Sequence, residues 1–330
     1  SLLSVMESLL LFCVANILSK KETDVNSSHQ RKRKSMEIES MFQKYIYSNK
    51  AKMRLKQTTI STYYRRFEGY ILPFFQRVEE INETSIEAFA TYLQSRLSDK
   101  TIASVLGLLS EILSYSGLQI DIYKPAVYPP EIVIFKRTEW EQLQNYCVSH
   151  LDFLTYGLLV AMYTGLRPGE LSAGRCKHID LYDAVFKVRF TMQRIKNPDT
   201  TEPKTKVIID TPKSHKAVRD IPLINDLVLM GKNLYQRIPP NAFLLTGEQE
   251  RFMEPRLLED KFSKIMQELK IQGKNLYSIR HTFATNFYNK THDVKSLSEI
   301  LGHADVKTTL NRYVHPCSEK KRQGVNALLS

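Results

Sequence analysis

Apolar residues recur at helical spacing through the first third of the chain. Ile86, Phe89, Ala90, Leu93 and Leu97 follow an i, i+3, i+4, i+7, i+11 rhythm, and Ile102, Val105, Leu106, Leu109, Ile112 and Leu113 repeat it after a break at Ser98-Asp99. Upstream, Thr58 to Phe75 reads as a longer helix carrying Tyr63, Tyr64, Arg65 and Arg66. Residues 35–122 are therefore expected to form a small helical domain. Lys124 to Pro130 contains three prolines, which interrupt helical continuity, so 123–135 is expected as an interdomain linker.

From Lys136 the rhythm resumes, with helices expected at 138–148, 152–164, 168–174, 224–236, 255–270, 276–290 and 294–301. Between them, Ala184 to Thr191 and Lys206 to Leu223 carry the β-branched and aromatic residues of strands. Thr211 to Leu223 reads as a β-hairpin with Lys213, His215 and Lys216 at its tip. The fold class expected is mainly α with a small antiparallel β-sheet, an α+β arrangement whose second domain spans 136–330. Residues 1–34 read as an N-terminal helix and a basic linker. Leu2 to Leu18 is interrupted by Ser4, Glu7, Ser8 and Asn16, too short and polar for a membrane span. Lys20 and Lys21 follow this stretch instead of preceding it, unlike a signal peptide. The chain opens on Ser and is read as a fragment of a longer protein.

Composition changes this picture mainly through charge. Hydrophobic residues make up 42% and charged residues 25% of the 330, the balance of a globular protein, which excludes disordered and fibrous classes. Lys and Arg number 47 against 35 Asp and Glu, a net charge of +12. It is concentrated: residues 31–66 carry +9, residues 185–219 carry +6, and the remainder about −3. Two basic blocks in a near-neutral chain point to a polyanion, whether DNA, RNA or an anionic membrane surface. Arg31, Lys32, Arg33, Lys34, Lys52, Arg54, Lys56, Arg65 and Arg66 in the first block, and Lys216 in the second, are the candidate phosphate contacts. The four cysteines, Cys13, Cys147, Cys176 and Cys317, form no CxxC pair, which disfavours a zinc knuckle or disulfide framework and suits a reducing cytosol. No GxGxxG or GxxxxGK[ST] segment is present, so a nucleotide-binding domain has no support.

Four segments of the second domain carry candidate chemistry. In TGLRPGEL (164–171) a helix ends at Gly165 and Pro168 opens the next, holding Arg167 at the junction with Glu170 one turn on. TPKSHKAVRDIPL (211–223) presents Lys213. In SIRHTFAT (278–285) Arg280 lies within an apolar helix start, which is costly unless a charged partner meets it. LGHADVKTTLNRYVHP (301–316) contains His303 and Tyr313. His281, His303 and His315 have no metal-like mutual spacing.

Together these segments, in this order, resemble the tyrosine recombinase (phage integrase) family over residues 36 to 326, and TTISTYYRRFEGYILPFF (58–75) resembles the start of its core-binding domain. The resemblance implies a helical DNA-binding domain and a catalytic domain forming a C-shaped clamp on double-stranded DNA. It implies a site-specific recombinase, the integrase of a phage or integrative mobile element. Such an enzyme cuts and rejoins strands without metal, ATP or other cofactor.

By that resemblance Arg167 and Arg280 clamp the scissile phosphate, which suits planar guanidiniums that stay charged. Glu170 supports the first arginine. Lys213 protonates the leaving 5′ oxygen, His303 hydrogen-bonds the phosphate or the nucleophile, and Tyr313 attacks phosphorus to give a 3′-phosphotyrosyl link. The family's second motif usually reads His-x-x-Arg, whereas Tyr277 stands three before Arg280 here. A phenol, of pKa ~10 against ~6.5 for imidazole, can donate to a phosphoryl oxygen but is a poor base, so Tyr277 is expected to keep the phosphate contact only. The tail after Tyr313 is expected to dock on a neighbouring protomer of a homo-tetramer on DNA. Accessory DNA-bending or directionality proteins and a location in the bacterial cytoplasm are further implications. The alternatives left open are a type IB topoisomerase-like nicking–closing enzyme and a catalytically silent DNA-binding regulator.

Overall fold

Pro73 decides the course of the long helix of the first unit. Helix α2 (Gln57–Arg66) cannot run straight into the turn Leu72–Phe75, because a proline ring collides with the carbonyl four residues back. The chain widens to a π-turn over Phe67–Ile71, which absorbs the mismatch. The computed structural model describes residues 37–48, 55–78, 80–197, 203–212 and 214–314, together with positions 322, 325 and 326. The expected N-terminal helix, the contacts Arg31, Lys32, Arg33, Lys34, Lys52 and Arg54, and Lys213 lie outside the described residues.

The chain divides into two units, Ser1–Pro129 with Ile195–Thr205, and Pro130–Arg194 with Lys206–Ser330. In the first, α1 (37–47) and α2 are followed by α3 (Glu83–Gln94) and α4 (Asp99–Tyr115). Asn82 starts α3 reciprocally with Ser85: each backbone N–H donates to the other's side-chain oxygen at 3.0 Å, satisfying two donors that a helix start leaves free. The periodic positions of α3 and α4, from Ile86 to Leu113, face one core built on Phe42, Phe67 and Phe89. The rings of Phe42 and Phe67 stack with centroids 4.0 Å apart.

The second unit is arranged around α6 (Phe153–Thr164), which follows α5 (Arg137–Ser149). Its sequence is apolar on every side, and accordingly Leu158, Leu159, Val160 and Met162 are all buried, as expected for a helix at the centre of a domain. Around and beyond it run α7 (Pro168–Ala173), α8 (Asn225–Tyr235), α9 (Pro255–Glu268), α10 (Leu276–Thr291), α11 (Val294–Leu301) and α12 (Val306–Tyr313). No helix among the described residues is long and apolar enough to cross a membrane.

The sheet region departs from the expected hairpin. β1 (Ile179–Asp180), β2 (Val185–Val188) and β5 (Arg219–Pro222) form an antiparallel sheet in the order β1-β2-β5, with Phe186 opposite both Ile179 and Ile221. β3 (Thr191–Lys196) and β4 (Thr205–Asp210) pair as a separate two-stranded ribbon. The single strand expected over 184–191 is therefore interrupted at Arg189-Phe190, where the chain passes from one sheet to the other. β4 and β5 are not neighbours: they belong to different sheets, and a short 3₁₀ turn, His215–Ala217, precedes β5. Pro212 helps explain this: its missing N–H removes a ladder donor where a hairpin would need one.

Candidate active site

Three helix ends converge on one cleft. α6 terminates at Gly165, whose φ of +64° is left-handed, and a Cβ there would meet the Phe283 ring at 2.5 Å. The chain then extends through Leu166 and Arg167 (φ −73°, ψ 149°) before Pro168 starts α7. α11 terminates in the same way at Gly302, also at φ +64°. The last carbonyls of a helix lack intrahelical partners and carry its partial negative charge.

Three arginines occupy that charge. Arg219 Nε donates to Ile300 O, Arg280 Nη2 to Leu301 O at 2.9 Å, and Arg167 Nη2 to Gly302 O at 3.4 Å. Arg280 also sends Nη1 to Gly165 O at 2.7 Å, so the ends of α6 and α11 hold it together.

Among the described residues Glu170 is the carboxylate bonded to this cluster, and it is 3% exposed. Its Oε1 accepts from Arg167 Nη1 at 2.7 Å and Arg219 Nη1 at 3.1 Å, while Oε2 accepts from the Arg167 backbone N–H and Arg219 Nη2, both at 3.0 Å. Burial raises its pKa, but Arg219 and then Arg167 outweigh burial and hold it at about 2. Arg280 is 3% exposed, and burial with the nearby Arg167 lowers its pKa to about 9, still protonated at neutrality. Three guanidiniums against one carboxylate leave the site about two charges positive, a standing attraction for an anion such as a phosphodiester.

Two histidines and the tyrosine complete it. His303 follows Gly302; its Nε2 lies 3.1 Å from Arg280 Nη2 and its Nδ1 lies 2.7 Å from Thr309 Oγ1. An arginine can only donate, so Nε2 accepts and the ring proton sits on Nδ1, donated to Thr309. Burial, then Arg280 and Arg167, depress its pKa to about 3, so the ring is neutral. Tyr313, at the end of α12, is 5% exposed, and its Oη lies 2.8 Å from His281 Nδ1. Burial raises the phenol above its usual pKa, against the opposing pull of Arg280 and Arg312.

A cleft of about 400 Å³ opens onto the Arg167, Glu170 and His303 side of this cluster, lined also by Gln193, Ser214 and Thr308, while Arg280, His281 and Tyr313 lie outside its lining. Pro212 and Ser214, the residues flanking Lys213, both line it. Lys216 donates from Nζ to Ala304 O at 3.0 Å, bracing the turn after His303. Tyr277 is 51% exposed in the first turn of α10. In the first unit, Lys56 precedes α2, half-buried, and Arg65 (exposed) and Arg66 (half-buried) occupy its last turn. Among the described residues no three His, Cys, Asp or Glu side chains converge as a metal site would.

The structure thus brings together Arg167, Glu170, Arg280, His303 and Tyr313, and adds Arg219, His281 and Thr309, which the sequence alone did not single out. Arg219 lies within the quoted segment TPKSHKAVRDIPL and His281 directly follows Arg280. None carried a local signal: Arg219 neighbours Asp220 in β5, the charged Arg280 stands beside His281, and Thr309 lies among the polar residues of α12.

An anion site built from arginines beside a buried tyrosine, within a mainly helical α+β protein, defines the class to which comparison with known proteins assigns the chain. The sequence pattern of the phage integrase family matches residues 134–320, and the chain belongs to that family. The tyrosine recombinase XerC-like protein of Caldanaerobacter subterraneus subsp. tengcongensis is 23% identical over 310 residues, covering 84% of this chain and 79% of that protein. The transposase of transposon Tn916 from Enterococcus faecalis is 25% identical over 174 residues, 48% of this chain and 41% of the transposase. In fold, the chain is similar to the Tn1549 transposon integrase in complex with transposon right end DNA, with a TM-score of 0.68 at 17% identity, covering 88% of this chain and 99% of that one.

Proposed function

We propose that this site-specific recombinase of the integrase family acts on duplex DNA of a mobile element and cuts it through Tyr313, which keeps the cut strand as a 3′-phosphotyrosyl ester. The observation that carries this reading is the buried Tyr313 phenol beside an arginine cluster whose Arg167 lines an open cleft. In this reading Arg167 and Arg280 hold the two non-bridging oxygens and offset the charge that grows as phosphorus becomes five-coordinate. Glu170 and Arg219 fix the arginines from behind. His303, with its Nδ1 proton held by Thr309, takes a second proton on Nε2 once the bound phosphate draws Arg280 away, and donates it to that phosphate, while Lys213 protonates the leaving 5′ oxygen. Tyr277 has a free face in the first turn of α10 and donates its hydroxyl to the same phosphate. Because the ester stores the energy of the broken bond, rejoining needs no ATP, and the arginines do the work that a divalent metal does elsewhere.

Lys56, Arg65, Arg66 and Lys216 are read as backbone contacts, with Arg31, Lys32, Arg33, Lys34, Lys52 and Arg54 as the remainder of that surface. Assembly as a tetramer through the segment after Tyr313, and any accessory DNA-bending protein, belong to the same reading. The names of the transposases and integrases that the chain resembles support DNA ends of a mobile element as substrate.

The test is a nicked suicide duplex built from the ends of the element that carries this gene. An adduct that survives SDS and is lost in Tyr313→Phe supports the reading. Strand exchange between two such duplexes separates recombination from nicking and closing of one. An adduct that persists in Tyr313→Phe, or no adduct with either end, overturns it in favour of another nucleophile or a DNA-binding regulator.

A further inference from the structure

We propose that His281 is the base that takes the proton of Tyr313 as its phenol attacks phosphorus, an inference that rests on Tyr313 being the nucleophile. A phenol 5% exposed has little water to accept its proton, so the acceptor must be a neighbouring side chain. His281 Nδ1 is 2.8 Å from Tyr313 Oη, with ring centroids 5.8 Å apart. This is a hydrogen bond of ordinary length between the attacking atom and an imidazole nitrogen.

The other described groups are engaged elsewhere. Both ring nitrogens of His303 are bonded, one to Arg280 and one to Thr309. Both oxygens of Glu170 are taken by arginines. Tyr277 is half-exposed and, as a phenol, no stronger a base than the group it would deprotonate.

Two donors compete for the lone pair of the His281 ring. The second nitrogen of His281, Nε2, stands 3.5 Å from Arg312 Nη2, at the outer edge of a hydrogen bond. An arginine can only donate, so that contact alone would place the lone pair on Nε2. At 2.8 Å the Tyr313 hydroxyl is the closer donor, and the reactive tautomer is the one that accepts it, with the lone pair on Nδ1 and the ring proton on Nε2. Burial, then Arg312 and Arg280, hold the ring pKa at about 4, so it is neutral and able to accept at physiological pH. A phosphodiester bound against Arg280 offsets part of that positive field and makes the ring more basic once substrate is present.

The step balances. The Oη–H proton passes to Nδ1, the oxygen's electron pair forms the Oη–P bond, and the P–O5′ bond breaks with its electrons on the 5′ oxygen, which Lys213 protonates. In the rejoining step the 5′ hydroxyl attacks, the phenol leaves, and the imidazolium returns the proton to it.

The experiment uses the full chain and suicide duplexes whose scissile 5′ oxygen is either oxygen or bridging sulfur. A thiolate leaves without an acid, so sulfur rescues a missing acid and not a missing base. His281→Asn, which keeps an acceptor near the Nδ1 position but takes no proton, is expected to slow adduct formation about 10²–10⁴-fold on both substrates. Lys213→Ala is expected to be slow on oxygen and restored on sulfur. The His281→Asn rate should also climb with pH as phenolate forms directly. His281→Gln repeats the measurement with a different side-chain length, and unchanged DNA binding shows that either variant is folded. A His281→Asn rate within about threefold of wild type, or a defect that sulfur rescues, overturns the proposal. Loss of the adduct in Tyr313→Phe together with a normal His281→Asn would refute only the base, whereas a persistent adduct in Tyr313→Phe would refute the nucleophile beneath it.

Discussion

Arg219 and Glu170 face each other across two hydrogen bonds, Nη1 to Oε1 at 3.1 Å and Nη2 to Oε2 at 3.0 Å, with side chains only 7% and 2% exposed. The pair joins β5 to the first turn of α7, and through Ile300 O it reaches the end of α11. Arg219 is therefore no DNA contact, although it lies within the second basic block. It is the brace that fixes the carboxylate against which Arg167 is aimed.

Removing that carboxylate should cost far more than a surface ion pair. Glu170→Ala leaves Arg219 buried without its counter-charge and is expected to destabilise the second unit by about 3–5 kcal/mol, measured by chemical denaturation. The acid limb follows from the same pair. A carboxylate held at about 2 contributes stability that is complete above its unfolded value of 4.5 and is lost as pH falls from there to about 2. Wild-type stability should therefore decline across that window with a component absent from Glu170→Gln. Equal acid slopes for the two proteins would exclude it.

Gly302 is required for two reasons at once. Its φ of +64° costs an alanine roughly 1–2 kcal/mol. A Cβ there would also stand 2.8 Å from Arg219 Nη1. Gly302→Ala should lower the melting temperature and slow adduct formation, since His303 and Arg219 shift together. An alanine variant cleaving at the wild-type rate would show that the turn tolerates both.

The rhythm from Ile86 to Leu113 was readable because two amphipathic helices closing on one core need only local spacing, and those positions are the buried faces of α3 and α4. Strand partners are another matter. Val185 to Thr191 alternates like one strand, yet the chain leaves the first sheet after Val188 and enters the ribbon at Thr191, a choice made by partners at 205–222 that no local pattern encodes. Helix α12 has eight residues and two buried positions, Thr309 and Tyr313, too few to display a period. At the site, the motif residues could be found by order along the chain. Arg219 could not, because its burial depends on a carboxylate 49 positions away, and His281 could not, because its partner lies 32 positions on.

Thr309 controls which nitrogen of His303 carries the proton. Thr309→Val removes the hydroxyl at nearly constant volume and leaves a buried N–H without an acceptor, a loss of about 1–3 kcal/mol. ¹⁵N shifts of the His303 ring should then report a mixture of tautomers, and cleavage should slow while DNA affinity is kept. Thr309→Ser should restore both. A Val variant with the wild-type ring spectrum would place the tautomer under Arg280 alone.

Arg65 offers a cleaner view of how the basic blocks act. It is exposed in the last turn of α2, where its charge also complements the helix end. If its guanidinium meets one phosphate, each binding event releases one set of counterions there, and log Kd should rise less steeply with log salt, its slope smaller by about 0.9, when it is removed. Arg65→Ala is therefore expected to weaken binding of specific and random duplexes alike, with a shallower salt dependence and a melting temperature within about a degree of wild type, because an exposed side chain contributes little to folding. Arg167→Ala should behave differently. Its side chain lines the cleft and bonds Glu170, so cleavage should collapse with only a modest change in affinity for uncut DNA. Titration of both variants at four salt concentrations, beside single-turnover cleavage, distinguishes the two roles. Equal salt slopes for Arg65→Ala and wild type would remove Arg65 from the DNA surface.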